Sequence, residues 1–381
     1  MRYTTLSAIA ALATIVVNGV SAVPAVAGGS GSGIPVPCDT TALINALITA
    51  PAGSTLVLAR RCTYHLTAAY AGNDGLPPVD RQLTIEGRDS TIVRDGVAAG
   101  VFRIFHVTST GDLRLDDLTI RGGNAPDAGG GILVDASGML KLSKAVLDNN
   151  HADIEGGGVD VEPGATAYIT RSQFTFNNSG GVGGGLRSDG TVTTDGVVFD
   201  HNFAAGSGGA IDHESGDAVY RNTTLKNNAG GGGEGGGISI FGGTVQFINS
   251  KILNNTTSSD EAGGIWTAAS LTLIKTQVSG NVVGGSDGEG GGILSEGGPV
   301  MLRDSSVDRN SANGSNSLAG GILNSGSTVT LDHSEVNNNA STTAPGGVWT
   351  PSQFTVNRSE IRHNIPTNCD GSPVIVTGCV G

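Results

Sequence analysis

The chain has 381 residues, 62 of them glycine, with 38% apolar residues, only 4% aromatic ones, and a formal net charge of −13. Glycine is about twice its usual ~7% share, but no three-residue glycine period exists, which excludes collagen. Four cysteines are too few for a disulfide-framework mini-protein, and an acidic chain repels phosphate backbones, which argues against nucleic acid as a partner.

In chain order, Arg2, the apolar run from Ala8 to Val17 and the small-x-small triplet Ala25-Val26-Ala27 predict a signal peptide over 1–27. Val20-Ser21-Ala22 is a competing cleavage site. Ten apolar residues are too few to span a bilayer, and no later run is longer, so no transmembrane segment is expected. Residues 28–37 (GGSGSGIPVP) are expected to be a flexible lead-in, and 38–54 an N-terminal cap. Within the cap, 39–50 reads as an amphipathic helix capped by Asp39 or Thr40, with Leu43, Ile44 and Leu47 on one face. Four cysteines allow three pairings. Two local ones are expected, Cys38 with Cys62 and Cys369 with Cys379, each stapling one end of the exported chain. No CxxC or Cys/His spacing supports zinc.

The middle of the chain repeats. A glycine tetrad ends at Ile132, Val159, Leu186, Ile211, Ile238, Ile265, Ile293, Ile322 and Val348, at intervals of 25 to 29 residues. Each tetrad is followed by an apolar-x-x-Asn motif, such as SQFTFN at 172–177, SKILNN at 250–255 and SEIRHN at 359–364. Between the motifs, stretches such as LTLIKTQV (271–278) alternate with period two, the mark of a strand with one buried face. Short strands joined by corners make a coil of about 27 residues, and coils stacked at ~4.8 Å make a parallel β-helix. A propeller blade needs ~40 residues, and the Leu/Asn pattern of leucine-rich repeats is absent. The expected fold is all-β: a single-stranded parallel β-helix of about a dozen coils over 55–364, regular from about 126. The capping helix closes one end and a disulfide loop over 365–381 the other.

GGAI at 208–211, FTFN at 174–177 and FDHN at 199–202 resemble the GGA[ILV] and FxxN signatures of the chlamydial polymorphic membrane protein repeat. The opening CDTTALINALI (38–48) and RCTYHL (61–66) are similar to the start of exported bacterial right-handed β-helix repeat proteins. These resemblances imply a right-handed coil, export, and an adhesin-like role. The chlamydial proteins carry a translocating barrel, for which the 17 residues after the last repeat are too short. Relatives of wider kinship include pectate lyases and other polysaccharide-active enzymes, so fold alone leaves function open.

Four sets of residues are candidates for chemistry. The Asn column comprises Asn149, Asn177, Asn202, Asn228, Asn255, Asn281, Asn310, Asn339 and Asn364. Its amides would bond one to the next; a column present in every coil builds the fold, whereas a glycan-binding row would be its functional use. An acidic column, Glu234, Glu261 and Glu289 with Asp260 and Asp287, offers oxygen ligands suited to Ca²⁺, or else splays into water. Asp212-His213-Glu214, beside Arg187 and Asp189, could do acid–base work if this is the enzyme the wider relatives suggest; alternation turns neighbours in this run to opposite faces. Trp266 and Trp349 occupy equivalent positions three coils apart, for stacking on a sugar or for burial. The expected function is a non-catalytic exported solenoid, a monomer, that binds an extracellular polysaccharide or a cell-surface protein. A polysaccharide lyase or hydrolase, with or without a calcium requirement, is the alternative.

Overall fold

The structure, a computed structural model, describes residues 33–380; the expected signal peptide and residues 28–32 lie outside the described residues. One coil shows how the rest is built. It contains four strands, Val159–Val161, Thr166–Thr170, Gln173–Thr175 and Asn178–Ser179. Alternation in Thr166–Thr170 sends Ala167 and Ile169 inward and leaves the threonines outside. Each strand pairs in parallel with its equivalent one coil on: Val159 with Leu186, Thr166 with Thr191, Gln173 with Val198, and Asn178 with Phe203. The four strand types form a three-residue sheet, a long flank, a short flank and a two-residue sheet. The three-residue sheet is ten strands deep and the two-residue sheet nine. The result is a right-handed parallel β-helix of about eleven turns, close to the dozen read from the repeat.

Sharp corners need residues that tolerate left-handed backbone. Arg171 (φ 48°) turns the long flank into the short one, and Phe176 (φ 53°) turns the short flank into the two-residue sheet. Gly156 (φ 61°) opens the tetrad turn. Gly157 is demanded by proximity instead: a Cβ there would come within 2.2 Å of the Asn178 carbonyl oxygen. Inside, aliphatic columns run the length of the rod, broken by stacked rings, Phe174 on Phe199 at 4.5 Å and Tyr220 on Phe247 at 4.7 Å.

The asparagines form a buried ladder. Asn177 Nδ2 donates to the Leu147 carbonyl in the coil before (3.0 Å) and to Asn202 Oδ1 in the coil after (3.0 Å). Its own Oδ1 accepts from the backbone N–H and Nδ2 of Asn150 (3.1 and 2.9 Å). Both donors and both acceptor sites of the amide are therefore used. The same pattern runs through Asn202, Asn228, Asn255, Asn281, Asn310 and Asn339 to Asn364, which ends on Asn368 Oδ1. The first rung corrects the sequence reading. Asn150, not Asn149, belongs to the ladder; Asn149 is an exposed corner residue with φ 53°. The motif carries adjacent asparagines here, and only the backbone register separates the corner from the rung.

The ends are closed. The helix spans Thr40–Thr49, with Asp39 Oδ1 accepting from Ala42 N–H at 2.7 Å, and it buries Leu43 and Leu47. The disulfides are Cys38–Cys62 and Cys369–Cys379. A second correction concerns the lead-in: Ile34–Val36 is a strand paired with Leu56–Leu58, with Val36 buried. Pro35 is tolerated because this strand lies at the edge of its sheet.

The ladder assignment has a direct check by thermal melting. Asn150→Ala removes the acceptor of Gly123 N–H and a donor to Asn177. It should cost on the order of 2–4 kcal/mol. Asn149→Gly should stay within about 0.5 kcal/mol of the parent. Equal losses at the two positions would refute the assignment.

Candidate functional site

In the three-residue sheet the first and third side chains of each strand point inward and the middle one outward. The outward residue is nevertheless covered, because the tetrad turn folds back over it: a Cβ on Gly156 would lie 2.7 Å from Asp160 Cβ. The middle residues stack in register from His106 through Leu133, Asp160, Arg187, Asp212 and Ser239 to Trp266, Leu294, Leu323 and Trp349. This column changes character along the axis.

At its N-terminal end, His106 lies between two carboxylates, Asp74 (3.0 Å) and Asp135 (2.9 Å). The Asp74 hydrogen bond holds its pKa up, against the effect of burial, and Asp135 adds to the rise. Asp74 also accepts from Arg103 Nε at 2.9 Å, and Arg103 grips Asp127 through two bonds of 2.7 and 2.8 Å. These contacts pin the loop around Asn73–Gly75 over the first coil.

In the middle, Arg187 is sandwiched between Asp160 of the preceding coil and Asp212 of the next. Its guanidinium lies 3.6 Å from Asp160, 3.5 Å from Glu155 and 2.5 Å from Asp189. Burial opposes its charge, but the surrounding carboxylates outweigh that and raise its pKa. Asp160 and Asp212 are fully buried, and as carboxylates none of their four oxygens has a hydrogen-bond partner. Burial, offset in part by Arg187 and reinforced by Glu162 and Glu155, pushes Asp160 up to about 8. Burial and Glu214 push Asp212 up in the same sense, with Glu234 adding to it. A proton resolves both cases, since Asp160 can then donate to Glu162 and Asp212 to Glu214.

At the C-terminal end the column becomes apolar. Trp266, Leu294 and Leu323 pack with Ala262 and Ala319 into a second cluster, separate from the interior core. Trp266 is only 5% exposed, so it does not form the open stacking platform that the sequence offered as one use. Trp349 is half-buried at the margin of the same cluster.

The sequence-predicted residues are thus partly assembled. Arg187, Asp189, Asp212 and Glu214 share the outer face. His213 is turned inside, with Nε2 on the Gly216 carbonyl at 3.2 Å, and burial lowers its pKa. It takes no part in an outward acid–base pair, because strand alternation separates it from its neighbours. Glu261 and Glu289 stack as paired neighbours beside the column. Burial and then Glu296, Glu234 and Glu289 raise Glu261 to about 7, with the nearby Trp266 indole offsetting part of the rise. Glu289 is raised by burial and by Glu296, Asp260 and Asp287. Glu234 is bonded to Ser207 Oγ, Asp260 accepts from Asp287 N–H at 3.0 Å, and Asp287 accepts from Asn316 at 2.9 Å. Among the described residues, no three His, Cys, Asp or Glu side chains converge as metal ligands. Asp160 and Glu162 escaped the sequence reading. The signal was present, since Asp160 directly follows its tetrad's final residue as Trp266 and Arg187 do.

A family model described as right handed beta helix region matches residues 103–283. No curated protein matches the chain, and no solved structure does. With the stacked parallel sheets, the family match supports a right-handed β-helix repeat protein.

The buried aspartates make stability depend on pH. Folded Asp160 keeps its proton to about pH 8, whereas an unfolded aspartate releases it near 4. Its stabilising contribution is full below the unfolded value and is lost as pH rises toward 8; Asp212 acts in the same direction. His213 acts oppositely, since its lowered pKa makes its contribution fall away on acidification. The melting temperature of the Asp160→Asn/Asp212→Asn double variant should therefore fall less between about pH 5 and 9 than that of the parent. Identical slopes would show that these two carboxyls do not hold the protons.

Proposed function

We propose that this chain is an exported, non-catalytic β-helix that binds an extracellular polysaccharide or a cell-surface protein along its flank, as a monomer. The observation that carries the reading is the contrast between a constant interior and a changing exterior. On the long flank the inward positions stay buried, as Ala167 and Ile169 in one coil and Val245 and Phe247 in another, while the half-exposed outward residue between them passes from Tyr168 to Thr193, Val219, Gln246, Thr272 and Met301. Repeat proteins recognise partners through such a varied surface on a repeated frame. Between Ile132 and Val348, coils of 25 to 29 residues leave only short corners. The two disulfides fit an oxidising compartment, and no helix among the described residues is long and apolar enough to cross a membrane.

A second reading rests on Asp160 and Asp212. Two carboxyls on either side of an arginine, two strand spacings or about 9.5 Å apart along the sheet, suit a hydrolase that inverts its substrate's configuration. Complete burial of both side chains weighs against it. A lyase would instead call on Ca²⁺ at Glu234, Glu261 and Glu289.

One experiment separates these readings. The purified chain is incubated with insoluble and soluble polysaccharides, with and without Ca²⁺ and chelator, and retention, unsaturated products and new reducing ends are measured. Retention without turnover is the expected result. Turnover abolished by Asp160→Asn or Asp212→Asn would install the hydrolase reading, and turnover abolished by chelation the lyase one.

A further inference from the structure

The corner where the short flank meets the two-residue sheet carries a pocket and an aromatic pair that neither reading above uses. The pocket has a volume of about 330 Å³ and is walled by Arg94, Arg121, Asn124, Asn149 and His151. Arg94 brings it a charge. Its Nε donates to the Gly122 carbonyl (2.7 Å), and its Nη1 to the carbonyls of Gly96 and Gly100 (2.5 and 2.6 Å). Among the described residues its Nη2 has no partner, and burial acts on its charge with no carboxylate to offset it. The other cation, Arg121, is taken by Asp148 at 2.7 Å, and His151 Nε2 lies on Asp153 at 2.9 Å. In a chain of net charge −13, this pocket thus holds one uncompensated positive charge. The side-chain amides of Asn124 and Asn149 stand beside it without partners among the described residues.

The register continues the pocket into an aromatic surface. Asn149 is followed at the same corner by Phe176 and His201, and Asn124 and His151 by Asn178 and Phe203. Phe176 therefore stands one strand spacing, ~4.8 Å, beyond the pocket wall at Asn149. Its backbone is left-handed (φ 53°), and the residue is 58% exposed. Asparagine holds this corner in other coils, as at Asn149, Asn227 and Asn254, and accepts left-handed backbone more readily. A bulky ring held there and left in water is disfavoured, and such outliers gather at binding sites. The ring stacks on His201 with centroids 5.2 Å apart, and Asp200 fixes His201 Nδ1 at 2.7 Å. Phe203, 39% exposed, widens the same surface.

We propose that this corner binds a sugar chain bearing a single carboxylate, with the acid held in the Arg94 pocket and a neighbouring ring stacked on Phe176 and His201. This rests on the binding reading above and names its site and ligand class. A carboxylate supplies the counter-charge that Arg94 lacks and accepts hydrogen bonds from a guanidinium and from amides. The amides of Asn124, Asn149 and Asn178 both donate and accept, as sugar hydroxyls do. The aromatic pair offers a flat apolar face to the C–H side of a sugar ring. One uncompensated charge selects one acid. A polyanion would carry its further charges over an acidic surface, and a neutral chain would leave Arg94 without a counter-charge. An acidic peptide would supply the carboxylate, but it lacks the run of hydroxyls that three side-chain amides match.

The test is calorimetric titration of the full purified chain with a xylo-oligosaccharide carrying one glucuronate branch. The unbranched oligosaccharide, an oligogalacturonate of equal length and a glutamate-rich peptide are titrated beside it. The parent should bind the branched sugar at least tenfold more tightly than any of the other three. Phe176→Asn installs the residue that other coils carry at this corner; it should weaken binding at least tenfold while the melting temperature holds or rises. Arg94→Gln should weaken binding as much. Because Arg94 also ties down the 96–100 turn, Asn149→Asp supplies a second test: it sets a carboxylate in the pocket without breaking a hydrogen bond, and should weaken binding at least tenfold. Unchanged affinity in folded Phe176→Asn or Asn149→Asp overturns the proposal. So does equal or tighter binding of the unbranched sugar, the oligogalacturonate or the peptide, though the binding reading then stands. If the branched sugar does not bind, the proposal falls; if the polysaccharides of the preceding experiment are not retained either, the binding reading falls with it.

Discussion

Each buried amide in the ladder from Asn177 to Asn339 uses both of its N–H groups and both acceptor sites on the coils above and below. Moving one coil by a single residue would break its four bonds. It would also turn every inward aliphatic of that coil toward water, because side chains alternate along a strand. The ladder and the hydrophobic interior therefore enforce one register. Every outward column, charged or neutral, follows from it.

The three-residue sheet shows what this rigidity tolerates. Burying charge is unfavourable unless it is paired, and unpaired carboxylates respond by keeping their protons. Arg187 compensates part of the negative charge around it, and protons on Asp160 and Asp212 remove more. The apolar cluster three coils further on needs no such device, since Trp266, Leu294 and Leu323 lose little by being covered. One backbone thus carries two unlike environments, and the tetrad turn that covers both is the same.

The two flanks divide differently. The short flank satisfies its polar groups internally, which makes it a poor surface for a new partner. The long flank leaves the hydroxyls of its middle outward column to solvent, beside a column that carries the Arg303–Asp332 ion pair.

Much of this was legible in the sequence. The tetrad and the apolar-x-x-Asn motif determined the coil length, the parallel stacking and the aliphatic interior, since a period of about 27 residues with alternating strands has few other physical solutions. Periodicity also located the capping helix and predicted that His213 and Asp212 face opposite ways. It did not distinguish Asn149 from Asn150, which are the same residue type and differ only in backbone conformation. It did not show that Ile34–Val36 pairs with Leu56–Leu58, because glycine and proline obscure an edge strand. Nor did it show that the outward column of one sheet is covered while that of the long flank is open. That was decided by the tertiary structure alone: burial of Asp160, Asp212 and Trp266 depends on how the tetrad turn folds back in space over the strand that follows it, and alternation along a strand is blind to that distance.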